Sequence, residues 1–258
     1  MSMLSRLFSL DGRIALVTGA SRGLGRSIAL GLAEAGADVI CHSSQAGGAS
    51  ETVRAVEQLG RRAWACAADL SDRAQVQSLA DEAHGAAGSA GIHILVNNAG
   101  TIRRAPAADV TPSDWDAVMR PNLDAAFLLS QAVGRGMLER RQGKIINIAS
   151  LLSFQGGITV PAYTASKHAI AGVTKALANE WASSGVQVNA IAPGYFSTDN
   201  TQALRDNSDR APQILARIPA GRWGEPDDLV GAAVFLASRA ADYVNGHLLV
   251  VDGGWLAR

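Results

Sequence analysis

Tyr163 and Lys167 stand four residues apart, which on a helix puts them on one face, one turn from each other. An ammonium beside a phenol favours the phenolate and lowers the tyrosine pKa from its ordinary value near 10. That tuning predicts a proton donor and acceptor for alcohol and carbonyl chemistry near neutral pH. Ser150 lies 13 residues before Tyr163, at the carboxyl end of an expected strand, where its hydroxyl can hydrogen-bond the reacting oxygen. Ser153 is the neighbouring alternative for that role. A solvated Tyr–Lys pair on a surface helix is the competing explanation, and the serine argues against it.

A second chemistry is written in Thr18-Gly19-Ala20-Ser21-Arg22-Gly23-Leu24-Gly25, between an apolar run and a helical stretch. Gly19, Gly23 and Gly25 let the backbone turn tightly and approach a pyrophosphate, whose charge the helix N-terminus meets. The spacing differs from G-x-G-x-x-G, and a purely steric glycine turn is the plainer alternative. At the end of the second expected strand, an acid would accept bonds from an adenosine ribose 2′-OH and repel a 2′-phosphate. Here the sequence reads Cys41-His42-Ser43-Ser44-Gln45, with no acid. Arg22 with Ser43 could hold a 2′-phosphate instead, which favours NADP(H), although Arg22 could equally be a solvated loop residue.

The elements that must position these groups follow from apolar periodicity. Strand-length runs at 14–18, 38–42, 63–67, 92–96, 145–149, 186–192 and 247–251 alternate with helical stretches at 24–35, 51–59, 72–87, 162–182 and 226–237. Thr111-Pro112-Ser113-Asp114 reads as a helix start, with a hydroxyl cap and proline in the first turn, and the helical pattern continues to 140. Pro121 should kink or divide it. Strands this apolar are buried on both faces, so the expected fold is α/β: a single-domain doubly wound parallel sheet, a Rossmann fold with seven or so strands and helices on both faces, over 1–258. Ligands then bind at the carboxyl ends of the strands.

Composition narrows the partners. The chain has 258 residues, 48% hydrophobic and 18% charged, enough for a large core. Lys+Arg and Asp+Glu both number 23, so no net charge points to nucleic acid or an anionic membrane. Cys41 and Cys66 lie in apolar runs and are read as core packing in a reducing compartment. Residues 1–10 lack signal-peptide features and no run is long enough to span a membrane, so a cytoplasmic location is expected, without a metal site.

Taken together, the glycine turn, Asn97-Asn98-Ala99-Gly100, Ser150, Tyr163-Thr164-Ala165-Ser166-Lys167 and Pro193-Gly194 resemble the short-chain dehydrogenase/reductase superfamily over nearly the whole chain. The resemblance implies an NAD(P)-dependent enzyme interconverting a secondary alcohol and a ketone. By the same resemblance, Tyr163 passes the proton and Lys167 also holds the nicotinamide ribose hydroxyls. Asn122 corresponds to an asparagine that kinks the preceding helix and holds a water joining the lysine to solvent; Pro121 before it departs from the usual pattern. Asp69 and Leu70 fall on the adenine side, and Asn97 braces the adenosine side and the central strands. Ala99, Gly100, Pro193, Gly194 and Thr198 complete the dinucleotide set with Gly19, Ser21, Arg22, Gly23, Leu24, Gly25 and Ser43. Capping or solvated roles are the alternatives for Asp69, Asn97 and Thr198.

Leu152-Ser153-Phe154-Gln155-Gly156-Gly157-Ile158, Asn179-Glu180-Trp181-Ala182, Ala192-Pro193-Gly194-Tyr195, Ile218-Pro219-Ala220-Gly221-Arg222-Trp223-Gly224 and Asp252-Gly253-Gly254-Trp255-Leu256-Ala257-Arg258 are similar to a bacterial sugar-acid branch, the 2-dehydro-3-deoxy-D-gluconate 5-dehydrogenases, also described as 2-deoxy-D-gluconate 3-dehydrogenases. That branch implies a deoxy sugar acid as substrate and usually NAD(H), which conflicts with the reading of Arg22 and leaves NADP(H) and NAD(H) both open. Arg103 and Arg104, and Arg205, Arg210, Arg217 and Arg222 in the 195–222 substrate-loop region, are candidates for forked recognition of a carboxylate. Arg104, Gln155 and Tyr195 are the expected substrate contacts. The rivals are a 3-oxoacyl-thioester reductase and a non-catalytic dinucleotide sensor. The superfamily also implies a homotetramer paired through the long helices flanking the fifth strand. Ala165, Ala169, Val173, Ala176 and Leu177 are shared there between core and interface, and Trp255 is expected to close a neighbouring subunit's cleft.

Overall fold

The apolar runs become a seven-stranded, all-parallel sheet in the computed structural model, which describes residues 2–258. Its strands are β1 (Ile14–Val17), β2 (Asp38–Ser43), β3 (Ala63–Ala67), β4 (Ile94–Asn97), β5 (Gly143–Ile148), β6 (Val186–Pro193) and β7 (Leu248–Val251), in the order β3-β2-β1-β4-β5-β6-β7. The helices are α1 (Met3–Phe8), α2 (Gly23–Glu34), α3 (Ser50–Gln58), α4 (Arg73–Ala87), α5 (Pro112–Met119), α6 (Ala125–Glu139), α7 (Pro161–Trp181), α8 (Asp199–Arg205), α9 (Arg210–Leu215) and α10 (Val230–Ala237).

Alternation along the strands divides the core in two. Ala15 and Val17 face one side, with Ile28 and Leu32 of α2, Val56 of α3 and Leu236 of α10. Ile14 and Leu16 face the other, with Leu79 of α4, Leu129 and Met137 of α6 and Leu177 of α7. Winding reverses where β1 meets β2 on one side and β4 on the other. The crevice above that switch point is where such sheets bind ligands.

Three local outcomes bear on the site. Pro121 lies in a π turn, Arg120–Asp124, that separates α5 from α6, with the Ala125 N–H reaching back to the Arg120 carbonyl. Proline lacks the N–H for an ordinary helical bond and its ring crowds the preceding turn, so the expected division occurs there. The 199–222 stretch contains two short helices, α8 and α9. Finally, α1 was not expected, being six residues without apolar periodicity, capped by the Ser2 side chain. Cys41 and Cys66 sit buried on neighbouring strands but pack into opposite cores, and burial pushes each thiol up to about 12.

Candidate active site

The glycine turn after β1 is clamped from two sides. From β4, the Asn98 and Ala99 N–H groups both donate to Thr18 Oγ1 at 2.9 Å, and Asn98 Nδ2 donates to the carbonyls of Thr18 at 2.9 Å and Gly19 at 3.2 Å. Gly19 has φ +65°, and a Cβ there would meet Ala99 Cα at 3.0 Å, while one at Gly25 would run into the Gly19 carbonyl and Asn98 Nδ2. From β2, His42 holds the turn. It is 2% exposed; the Gly19 N–H donates to its Nδ1 at 3.2 Å, and its Nε2 lies 3.0 Å from the Ala68 carbonyl. An amide only donates and a carbonyl only accepts, so Nε2 carries the proton and the ring is neutral. Burial pushes its pKa below the ordinary histidine value, opposed by the Ala68 carbonyl.

The first turn of α2 has no side-chain cap, so its N–H groups are available to an anion brought against the glycines. A cradle with no room for a Cβ at Gly25, facing a helix start, fits a dinucleotide pyrophosphate, with Ser21, Gly23 and Leu24 along it. Leu70 is buried beyond the end of β3. Asp69 Oδ1 accepts from the Ser71 N–H and hydroxyl at 2.9 and 2.8 Å.

The structure also places the partners of Arg22, Ser43 and Asn97. Arg22 pairs with Asp199 at 2.7 Å, while the Ser43 hydroxyl donates to the Gln45 carbonyl at 2.8 Å. Both partners of the Arg22 pair are largely solvent-exposed, so it is weak and the arginine is available for recruitment. Asn97 holds the central strands, the structural half of its expected role. It is buried, and its Nδ2 donates to the Ala126 carbonyl, Ser130 Oγ and Asn147 Oδ1 at 2.9–3.2 Å, bracing β4, β5 and α6. Its neighbour Asn98 braces the glycine turn. The NNAG motif held that residue, but only the structure separates the two side chains.

The reacting end is built by β5 and α7. Ser150 follows the β5 terminus; its hydroxyl accepts from the Leu152 N–H at 3.2 Å and lies beside the Tyr163 phenol, whose pKa it lowers. Tyr163 and Lys167 are one turn apart on α7, with Lys167 Nζ 5.5 Å from the tyrosine ring centroid. Ser153 donates to the Lys167 carbonyl at 2.6 Å and is thereby engaged in holding α7. Lys167 Nζ donates to the Ile148 carbonyl at 2.6 Å.

The expected depression of the tyrosine by the lysine is corrected. Burial pushes the Tyr163 phenol above its ordinary value, against the pull of Ser150 and the Arg104 charge. Burial also pushes Lys167 down to about 8. Stripping water from both groups disfavours both charges, and the lysine amine is turned to a carbonyl rather than to the phenol.

Asn122 is 3% exposed at the π turn. Its Oδ1 accepts from the Thr101 N–H at 2.8 Å, and its Nδ2 donates to the Thr101 carbonyl at 3.0 Å and Ser166 Oγ at 3.2 Å. The kink is present, and with both amide hydrogens taken by protein oxygens the side chain ties the NNAG loop to α7. Ser166 in turn donates to the Tyr163 carbonyl at 2.8 Å. Gly194, after β6, leaves no room for a Cβ, which would lie 2.6 Å from Asp252 Cα. Thr198 begins α8 in a capping box with Thr201 and approaches Gly23.

A cavity of about 670 Å³ opens at this end, lined by Ser150, Tyr163, Arg104, Gln155, Tyr195, Pro193 and Gly194 among others. Arg104 Nη2 donates to the Asn200 carbonyl at 2.9 Å. Arg210, Gln213 and Arg217 of the α9 segment also line it, as does Trp255. Tyr195 packs between Trp255 and Trp223, with ring centroids 4.7 and 5.5 Å away. Trp255 is 4% exposed within its own chain and walls this cavity. Arg103 lines a separate hollow, Arg205 is held by the Thr198 carbonyl and Gln202, and Arg222 forms a forked pair with Asp228 at 2.6 and 2.8 Å.

The fold, the glycine cradle and the Ser150–Tyr163–Lys167 arrangement define a dinucleotide-dependent oxidoreductase. The short chain dehydrogenase family matches residues 13–209, and the chain belongs to that family. It is 57% identical over 258 residues to the 2-dehydro-3-deoxy-D-gluconate 5-dehydrogenase of Bacillus subtilis, covering all of both chains. A gluconate 5-dehydrogenase from Burkholderia cenocepacia, solved with NADP and tartrate, superposes with a TM-score of 0.94 at 45% identity, covering 99% of each chain. A 3-oxoacyl (acyl-carrier-protein) reductase from Agrobacterium tumefaciens with NADP bound is more distant, at 33% identity and a TM-score of 0.90 over 97% of this chain and 96% of that one.

Proposed function

We propose that this protein interconverts a secondary alcohol and a ketone on a deoxy sugar acid such as 2-dehydro-3-deoxy-D-gluconate or 2-deoxy-D-gluconate, with NADP(H) favoured over NAD(H). The observation that carries the reading is one cavity holding a serine–tyrosine pair together with three arginines, in a chain of zero net charge. An acidic small molecule suits that lining. A 3-oxoacyl thioester reductase needs a basic surface for its carrier, and the reductase of that name compared above is less similar than the sugar-acid relatives. A dinucleotide sensor would have no use for the Ser150–Tyr163–Lys167 set.

A bound nicotinamide dinucleotide supplies or accepts the hydride; the chain handles binding and the proton. Gly19, Gly23 and Gly25 admit the pyrophosphate to the α2 N-terminus, and Lys167 is the residue on hand for the nicotinamide ribose. Ser150 Oγ donates to the substrate oxygen. In ketone reduction the Tyr163 Oη gives its proton to that oxygen, a direction favoured by a phenol that burial keeps protonated. The phenolate left behind is stabilised by Ser150 and by Arg104. Asn122 and Ser166 fix the first turn of α7 and with it the tyrosine backbone.

The unit proposed is one domain over 1–258, with 195–222 as its substrate loop, acting as a homotetramer in the cytoplasm. No helix among the described residues is long and apolar enough to cross a membrane. The test is oxidation of NADPH or NADH, followed at the nicotinamide absorbance band, with keto-deoxy sugar acids set against an acetoacetyl thioester. Turnover of the acids is expected; turnover confined to the thioester overturns the substrate, and none with any carbonyl overturns the enzyme. Calorimetric titration should show tighter binding of NADP than NAD, and a tenfold preference for NAD would reverse the cofactor choice.

A further inference from the structure

The substrate cavity has two poles, and the cations are divided between them. Arg104 is the charge that reaches Tyr163, whereas Arg210 and Arg217 are the charges that reach Tyr195. Arg104 has one nitrogen committed to the Asn200 carbonyl. Arg22, Arg26, Arg61, Arg62, Arg73, Arg120 and Arg222 each have a carboxylate partner. Arg210 and Arg217 have none within ion-pair distance among the described residues, although both line the cavity.

Arg217 is also pre-set. Its guanidinium lies 4.0 Å from the Trp255 ring centroid, and that ring is 4% exposed and backed by Tyr195. A guanidinium held over an aromatic face keeps its N–H groups at its edge, where they can fork onto a carboxylate. Gln213, on the same segment, and Gln155 across the cavity add neutral donors and acceptors suited to hydroxyls.

We propose that Arg210 and Arg217, the latter seated on Trp255, form the subsite that grips the substrate's carboxylate at the pole away from Tyr163. The inference rests on the sugar-acid reading above and assigns the recognition of the acid to α9 and the residue two beyond it, rather than to Arg104. It follows that the carbon undergoing redox is remote from the carboxylate, since one end of the molecule is tied to the α9 pole while the other meets Ser150 and Tyr163. A 3-oxoacyl thioester lacks the group this pole would hold.

The test uses full-length protein saturated with NADP⁺ and titrated calorimetrically with tartrate as a carboxylate probe. Arg210→Ala and Arg217→Gln should each weaken tartrate by at least tenfold, in the range for a charge-assisted hydrogen bond, with NADP⁺ affinity unchanged. Arg103→Ala, outside the cavity, should bind as wild type. Arg217→Lys guards against loss of packing on Trp255: it keeps the charge without the fork and should fall between wild type and Arg217→Gln. In parallel, kcat/KM for a sugar acid should fall at least tenfold in Arg210→Ala while that for its uncharged primary amide holds. Wild type that binds no tartrate, variants that bind it like wild type, or equal losses for acid and amide overturn the subsite. Arginine-dependent tartrate binding in a protein that turns over no keto acid would leave the subsite standing and remove the sugar-acid reading instead.

Discussion

Lys167 is the most costly residue in the site to keep charged. It is 4% exposed, its pKa is held at about 8 against an ordinary 10.5, and among the described residues its one side-chain hydrogen bond is to the Ile148 carbonyl. Because the folded pKa lies below the unfolded one, the folded protein binds fewer protons between pH 8 and 10.5. Its contribution to stability therefore rises with pH across that window, and the full penalty, on the order of 3 kcal/mol, applies below pH 8. Tyr163, shifted upward, works in the opposite sense only above pH 10. Thermal melts of wild type and Lys167→Met between pH 7 and 10 should show wild type gaining relative to the variant as pH rises, with the variant inactive throughout. A flat difference would mean that Lys167 is not a buried charge. The spacing of Tyr163 and Lys167 was readable as an acid–base pair, but the direction of their shifts was not, since burial is a property of everything packed around them.

At the scale of elements, the glycine turn shows how closely two segments must approach. Gly25 opens α2 with no space for a side chain, because the Gly19 carbonyl and Asn98 Nδ2 already occupy it. Gly25→Ala should push the turn off β4, lower stability by about 1–3 kcal/mol as in other overpacked sites, and weaken dinucleotide binding by tenfold or more. Denaturant melts and a fluorescence titration of NADPH measure the two effects, and a variant that binds NADPH normally would show that the turn does not position the cofactor. Pro121 was legible for the opposite reason: a missing N–H acts locally, so the break between α5 and α6 could be placed from sequence. The α8–α9 segment was not, because its polar residues carry no period and its course is decided by packing of Ile214 and Ile218 against Leu151 and Trp255.

Across the whole molecule, the exposed apolar side chains bear on assembly. Leu177 proves to be core, Val173 packs against it, and Ala176 faces solvent, while Phe127 of α6 and Trp115 of α5 remain 40% and 39% exposed. If α6 and α7 pair between subunits as the proposed tetramer requires, Phe127→Glu places a charge in that contact. Sedimentation should give a tetramer for wild type and smaller species for the variant; identical sedimentation would place the contact elsewhere.

What the amino-acid order determined alone is whatever depends on short-range rules. Apolar runs separated by helical periods yield a parallel doubly wound sheet, glycines at 19, 23 and 25 yield a tight turn before a helix, and a four-residue interval sets Tyr163 above Lys167. Tertiary structure decided everything that depends on which distant groups meet. It turned Asn97 inward and Asn98 to the glycine turn, put His42 between Gly19 and Ala68, and gave Arg22 to Asp199. It also brought Arg217 onto Trp255 at the edge of the cavity that holds Tyr163. Hydrogen bonds and desolvation act over a few ångströms in space, whatever the separation along the chain, so these partners exist only once the sheet has closed.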